Sequence, residues 1–200
     1  MSLFNLSTPI ELKLQNAEID YIPQFYSAEE SKALFEALYQ STDWIEDDIR
    51  VYGKVYKQPR LTAFFANNKK SYHYSNISMS PQKFTPLLNR IKSKIEERTQ
   101  SIFSSCLLNL YRNGQDSNGW HSDDEKELGK NPTIASLSLG AERIFHLKHK
   151  KITTLKHKLS LQNGSLLVMK GETQHYWLHQ IPKTKKPIDK RINLTFRFLK

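Results

Sequence analysis

The chain has 200 residues, a formal net charge of +10, 38% hydrophobic and 25% charged residues, and a single cysteine. No apolar run approaches the ~20 residues of a membrane span, and the lone Cys106 excludes an internal disulfide and a cysteine-rich zinc module. What remains is one domain of ordinary globular composition, long enough to bury roughly 70% of its unfolded surface, with a basic excess that favours a polyanionic partner through release of condensed counterions.

Glu11 and Lys13 arrive before any signal-peptide core forms, so a soluble cytoplasmic protein, monomeric and away from membranes, is the expectation. Much of the positive charge sits in His146-Leu-Lys-His-Lys-Lys151, Lys156-His-Lys158 and Lys183-Thr-Lys-Lys186. Those clusters read either as a nucleic-acid surface or as a solvated basic face, and charge alone does not separate DNA from RNA.

Along the chain, Ile10, Leu12 and Leu14 alternate with polar residues and predict a strand. Ser27 followed by Glu30 forms a capping-box pattern, and Leu34, Phe35, Leu38 and Tyr39 continue at helical spacing. Gly53 between two β-prone runs, Ile49 to Lys57, predicts a hairpin with Tyr52 near its tip. That tyrosine either wedges into a base stack, with Arg50 and Lys54 on phosphates, or packs inward. Tyr72 and Tyr74 share one face of a short strand, where they either sandwich a planar base or join the core. A second helix is predicted by Phe84, Leu87, Leu88, Ile91 and Ile95, with Pro86 in its first turn.

From Ser104 the pattern changes to short strands: Cys106 to Tyr111, Ile134 to Leu139, Arg143 to Lys148, Leu159 to Leu161, Ser165 to Met169, Gln174 to His179 and Ile192 to Leu199. Turns at Asn113-Gly114, Gly140 and Asn163-Gly164 separate several of them, which argues for a sandwich or jelly roll. The fold class is therefore α+β, mainly β, with the N-terminal helices packed on the sheet.

The stretch around which the chain is organised is Asn109 to Glu125. His121 and Asp123 are two positions apart, so in extended backbone both project to one face. Two histidines and one carboxylate make a facial site for non-haem Fe(II) with open positions for a cosubstrate and O₂. The second histidine must come later, from His175 or His179; His146, His149 and His157 lie among lysines that disfavour a divalent cation. The terminal run then alternates strictly: Arg191, Asn193, Thr195 and Arg197 against Ile192, Leu194 and Phe196. Two guanidinium groups, an amide and a hydroxyl on one strand face suit a dicarboxylate, unless the face lies in water at a sheet edge. Asn109 and Tyr111 repeat the two-residue spacing and offer an amide and a phenol to the same small ligand.

Together, Asn109-x-Tyr111, His121-x-Asp123-Asp-Glu125, Trp177-x-His179-x-x-Pro182 and Arg191-x-Asn-Leu-Thr-Phe-Arg197 resemble the AlkB family of Fe(II)/2-oxoglutarate dioxygenases, most of all the branch of homologues 2 and 3. The resemblance runs from about Val51 to Lys200. It implies a double-stranded β-helix with a nucleotide-recognition region within residues 1–100 and a catalytic core over 101–200. His121, Asp123 and His179 would ligate Fe(II). Asn109, Tyr111, Arg191, Thr195 and Arg197 would bind 2-oxoglutarate, with one arginine on its distal carboxylate. Tyr72 and Tyr74 would line the base pocket, Asp124 and Glu125 would meet the polar edge of the damaged base, Tyr52 would be the finger residue, and Arg143 matches an arginine beside the site. The implied reaction is oxidative N-demethylation of bases such as 1-methyladenine and 3-methylcytosine in DNA, with methylated RNA or another non-DNA substrate as the alternative. Phe64-Phe65 stands where the family often has Tyr-Gly, and a Tyr stands where a finger Phe is familiar; both bear on substrate and strand preference.

Overall fold

The structure, a computed structural model, describes residues 8–51, 54–67, 72–74 and 77–200. Its first strands are β1 (Ile10–Glu11) and β2 (Glu18–Ile22). The strand expected through Leu14 is cut short, because Leu14 N–H donates back to Leu12 O at 2.8 Å and Asn16 adopts a positive φ of 57°. Helix α1 (Ala28–Ser41) begins where the capping box predicts: Glu30 N–H donates to Ser27 Oγ, and Ser27 N–H donates to Glu30 Oε2. Leu38 is buried in the core, and Leu34, Phe35 and Tyr39 pack against the same core cluster.

The expected hairpin is β3 (Asp48–Val51) and β4 (Lys54–Lys57), antiparallel with Val51 opposite Lys54; Tyr52 lies outside the described residues. Strand β5 (Leu61–Ala66) is buried on both faces and mostly apolar, so no alternation reveals it. Strand β6 (Tyr72–Tyr74) pairs with β7 (Ile77–Met79); the side chains of Tyr72 and Tyr74 lie outside the described residues. Helix α2 (Pro86–Thr99) starts on Thr85, whose Oγ1 accepts from Leu88 N–H, with Pro86 in the first turn. It buries Leu88, Ile91 and Ile95, each such burial stabilising by roughly 1.5–3 kcal/mol.

The remaining elements are β8 (Ser105–Tyr111), β9 (Asn118–His121), β10 (Ile134–Gly140), β11 (Arg143–His149), β12 (Lys156–Leu161), β13 (Leu166–Lys170), α3 (Thr173–Tyr176), β14 (Trp177–Ile181) and β15 (Arg191–Arg197). The strand expected over Gln174 to His179 opens instead with the helical turn α3. One local and one long-range bond hold that turn: Thr173 Oγ1 donates to Lys170 O and accepts from Glu18 N–H, while Gln174 turns inward and is buried.

Seven strands form one sheet in the order β1-β2-β13-β10-β15-β8-β5, and four form another in the order β12-β11-β14-β9. One face of the larger sheet, with Leu108, Leu110, Ile192, Leu194 and Phe196, packs on the two long helices. The opposite face, with Leu107, Tyr111, Leu167 and Met169, meets Phe145, Leu147 and Trp177 of the smaller sheet. The result is a jelly roll with helices on its outer face. Because β15 is flanked by β10 and β8, its alternation sends the apolar residues to the helices and the polar row between the sheets.

Candidate metal and dicarboxylate site

Strands β9 and β14 are neighbours, with His121 directly opposite His179. That register brings two distant histidines to ring centroids 4.2 Å apart. His179 also stacks on Phe145, at 5.2 Å and 29°. Asp123 follows the end of β9, and its backbone N–H donates to the buried Gln174 Oε1 at 2.9 Å. One nitrogen of each imidazole and a carboxylate oxygen of Asp123 lie within 4.8 Å of one another, the only such group of three among the described residues.

Protonation is set for metal binding. His121 Nδ1 lies 2.7 Å from Gly119 O, and a carbonyl only accepts, so Nδ1 carries the proton and Nε2 keeps its lone pair. Burial lowers the His121 pKa, although Asp123 opposes it. Burial and the neighbouring His121 bring His179 down to about 3. Both imidazoles are thus neutral near pH 7. Burial pushes the Asp123 carboxyl up, but Arg197 and then the two imidazoles outweigh it and hold the group at about 2. Arg197 Nη2 donates to Asp123 Oδ1 at 2.9 Å in a pair only 4% and 2% exposed. A buried carboxylate therefore stays ionised beside two neutral imidazoles.

The other end of the cleft is built on β15. In register, Arg191 faces Tyr111 and Asn193 faces Asn109 on β8, while Asn193 and Thr195 face Ser138 and Ser136 on β10. Most of these polar groups satisfy one another. Asn193 Nδ2 donates to Ser136 Oγ and Leu137 O, and Thr195 Oγ1 donates to Asn193 Oδ1. Asn109 Oδ1 accepts from Arg60 Nε at 2.7 Å. Arg191 differs. It is 1% exposed, its Nη2 donates to Ser138 Oγ at 3.0 Å, and its guanidinium lies 5.2 Å from the centre of the Tyr111 ring. Its Nε and Nη1 are buried with no hydrogen-bond partner. Burial, countered by Tyr111 and aided by Arg143, lowers its pKa to about 10. Unpaired buried donors cost about 1–3 kcal/mol each, a cost that an incoming carboxylate would remove.

Both ends open into one cavity of about 40 Å³, walled in part by Leu107, Phe145, Leu161 and Met169. A model of the 2OG-Fe(II) oxygenase superfamily matches residues 18–197. The chain belongs to that superfamily, among its AlkB homologues. It is 42% identical to the human alpha-ketoglutarate-dependent dioxygenase alkB homolog 3 over 88% of this chain and 64% of that protein, so it spans somewhat under two thirds of that relative. The mouse DNA oxidative demethylase ALKBH2 is 34% identical over 93% of this chain and 82% of the relative. The solved structure of OsALKBH1 superposes with a TM-score of 0.65 at 16% identity, over 90% of this chain and 97% of that one. The site fits the two groups in the superfamily's name: a His/Asp/His donor set in the required protonation states, and a buried guanidinium with donors to spare for a 2-oxoglutarate carboxylate.

For this oxygenase-family chain, the cavity gathers His121, Asp123, His179, Asn109, Tyr111, Arg191, Asn193, Thr195 and Arg197, all expected from sequence. His175 is on the surface, its Nε2 2.8 Å from Asn131 Oδ1. Asp124 is exposed and accepts from Ser122 Oγ and Lys150 Nζ; neither it nor Glu125, which leads into the turn Lys126–Leu128, lines the cavity. Arg143, expected beside the site, is 3% exposed and does not line the cavity; it lies 5.5 Å from the centre of the Tyr111 ring, and its hydrogen bonds go to backbone carbonyls. Arg60, Asn118, Gln174 and Phe145 support the site without having been singled out. No local pattern marks them; their roles come from strands and loops distant in sequence.

Proposed function

We propose that the chain is an oxidative dealkylase of N-alkylated bases, with 1-methyladenine and 3-methylcytosine in DNA as its substrates. The observation that carries this is one buried cavity holding an ionised carboxylate with two neutral imidazoles at one end and a guanidinium with unpaired donors at the other. His121, Asp123 and His179 would hold Fe(II), and Arg191 the distal carboxylate of 2-oxoglutarate, with Tyr111 against its guanidinium. Bound there with 2-oxoglutarate and O₂, Fe(II) supplies the oxidation that hydroxylates an N-methyl carbon, with formaldehyde, succinate and CO₂ as products.

The residues of this chain do the rest. Gln174 fixes the Asp123 backbone, Arg197 keeps its carboxylate charged, and Gly119 O selects the His121 tautomer. Leu107, Phe145, Leu161 and Met169 supply the apolar part of the cleft's lining. A base must leave its stack to reach such a cavity, and the net charge of +10 suits the phosphates on either side. Support for DNA comes from the ALKBH2 relatives, named DNA oxidative demethylases.

The test is formaldehyde and succinate release from a 3-methylcytosine oligonucleotide with Fe(II), 2-oxoglutarate and ascorbate, as single strand, duplex and RNA. Release that depends on the lesion and disappears in Asp123→Ala is expected. Succinate without lesion dependence would move the substrate elsewhere, preferential release from RNA would favour the RNA reading, and neither product with wild type would sink the catalytic one.

A further inference from the structure

Two chain segments connect the metal end of the cavity to its carboxylate end. One leaves β8 after Tyr111, turns through Asn113–Asp116 and enters β9, which carries His121. The other leaves β14, which carries His179, after Ile181, passes Pro182 and enters β15 at Arg191. Arg143, at the start of β11, bonds to both. Its Nη1 donates to Asn113 O at 3.3 Å, and its Nη2 donates to Asp116 O at 2.9 Å and to Pro182 O at 2.6 Å. The same guanidinium lies 5.5 Å from the centre of the Tyr111 ring, and Arg191 lies 5.2 Å from that centre. Tyr111 is thereby in contact with both arginines.

Packing alone does not explain this. Among the described residues Arg143 has no carboxylate in a salt bridge with it, and a buried cation is costly enough that an apolar side chain of similar volume is often neutral or better. What an apolar side chain lacks is a rigid fork of donors able to hold two loops at one point. The loops also meet further out, where Thr184 N–H donates to Gly114 O at 2.8 Å. Loss of Arg143 therefore loosens the inner junction and leaves the outer one in place.

We infer that Arg143 is a positioning residue that sets which length of dicarboxylate the site accepts, by locking the two segments that separate Arg191 and Tyr111 from the metal-ligating strands. This rests on the 2-oxoglutarate reading above. A five-carbon 2-oxo diacid fits only if both ends of the cavity are held in register, so a loosened junction admits a longer one.

The experiment compares 2-oxoglutarate with 2-oxoadipate, one methylene longer, in wild type, Arg143→Met and Arg143→Lys. The ratio of kcat/KM values for the two diacids is independent of the fraction of folded enzyme. Each diacid's shift of the thermal unfolding midpoint of the metal-free protein gives a second readout that needs no turnover. One methylene is worth roughly 10- to 200-fold in a fitted site. Wild type should discriminate within that range, Arg143→Met should lose about tenfold of it, and Arg143→Lys, with one donor centre for three carbonyls, should also lose discrimination. Unchanged ratios in both variants, with the two diacids weakened together, would reduce Arg143 to a loop staple and overturn the inference. No response of wild type to either diacid would overturn the cosubstrate reading itself, and the inference with it.

Discussion

The two ends of the cavity handle buried charge in opposite ways. At the metal end every formal charge is already matched: Asp123 is paired with Arg197, and the imidazoles are neutral. At the carboxylate end Arg191 is as deeply buried, yet it meets only neutral groups, the Ser138 hydroxyl and Tyr111, and its Nε and Nη1 have no hydrogen-bond partner. The first end is organised before any ligand arrives, whereas the second has its counter-ion supplied from outside. Burial alone therefore does not distinguish the two arginines; the missing counter-ion beside Arg191 does.

Breaking the metal end should have the largest effect. Asp123→Ala removes an expected ligand and leaves Arg197 as an uncompensated buried charge, so lesion-dependent formaldehyde release should fall below detection and the chain should lose about 3–5 kcal/mol of stability by denaturant unfolding. Arg197→Met strands Asp123 instead and should cost a similar amount, about 3–5 kcal/mol.

Arg191→Met should do the reverse to the ligand-free chain, leaving its stability unchanged or raised, because it removes a buried cation that no anion compensates. The same variant should lose the stabilisation that 2-oxoglutarate gives wild type, about 2.7 kcal/mol at a hundred times Kd. If both arginine variants destabilise the free chain equally, the contrast between the two ends is wrong.

A smaller effect sharpens the contrast by pH. The His179 pKa of about 3 in the folded state lies below the value of about 6.5 in an unfolded chain, so between those pH values the unfolded chain holds a proton that the folded one does not. Stability of the metal-free protein is full above about pH 6.5 and declines as pH falls towards 3, by up to about 1.4 kcal/mol per pH unit for this group. Asp123, held at about 2, adds its own loss below about pH 4. His179→Phe should flatten the upper part of that decline in denaturant titrations from pH 7 to 4. Smallest of all, Ser138→Ala removes one neutral acceptor from Arg191 and should change 2-oxoglutarate affinity by about 1 kcal/mol, read by calorimetry.

Much of this was legible in the chain. The capping box at Ser27, the helical spacing of Leu88, Ile91 and Ile95, and the alternation from Arg191 to Arg197 are local patterns, and each side chain took the face its period assigned. The apolar strand β5 escaped because residues buried on both faces show no alternation. The turn α3 escaped because β-prone residues around Trp177 masked a helical turn held by Glu18 and Lys170.

By itself, then, the sequence determined the residue types of the site and their spacing within each strand, since strand and helix periods act over a few positions. The tertiary structure alone decided that His121 and His179 face each other in one register, that Arg197 rather than Arg191 neutralises Asp123, and that Arg143 holds two loops at one point. Those choices depend on the register of strands far apart in the chain, and a one-residue slip in that register would send each of these side chains to the opposite face.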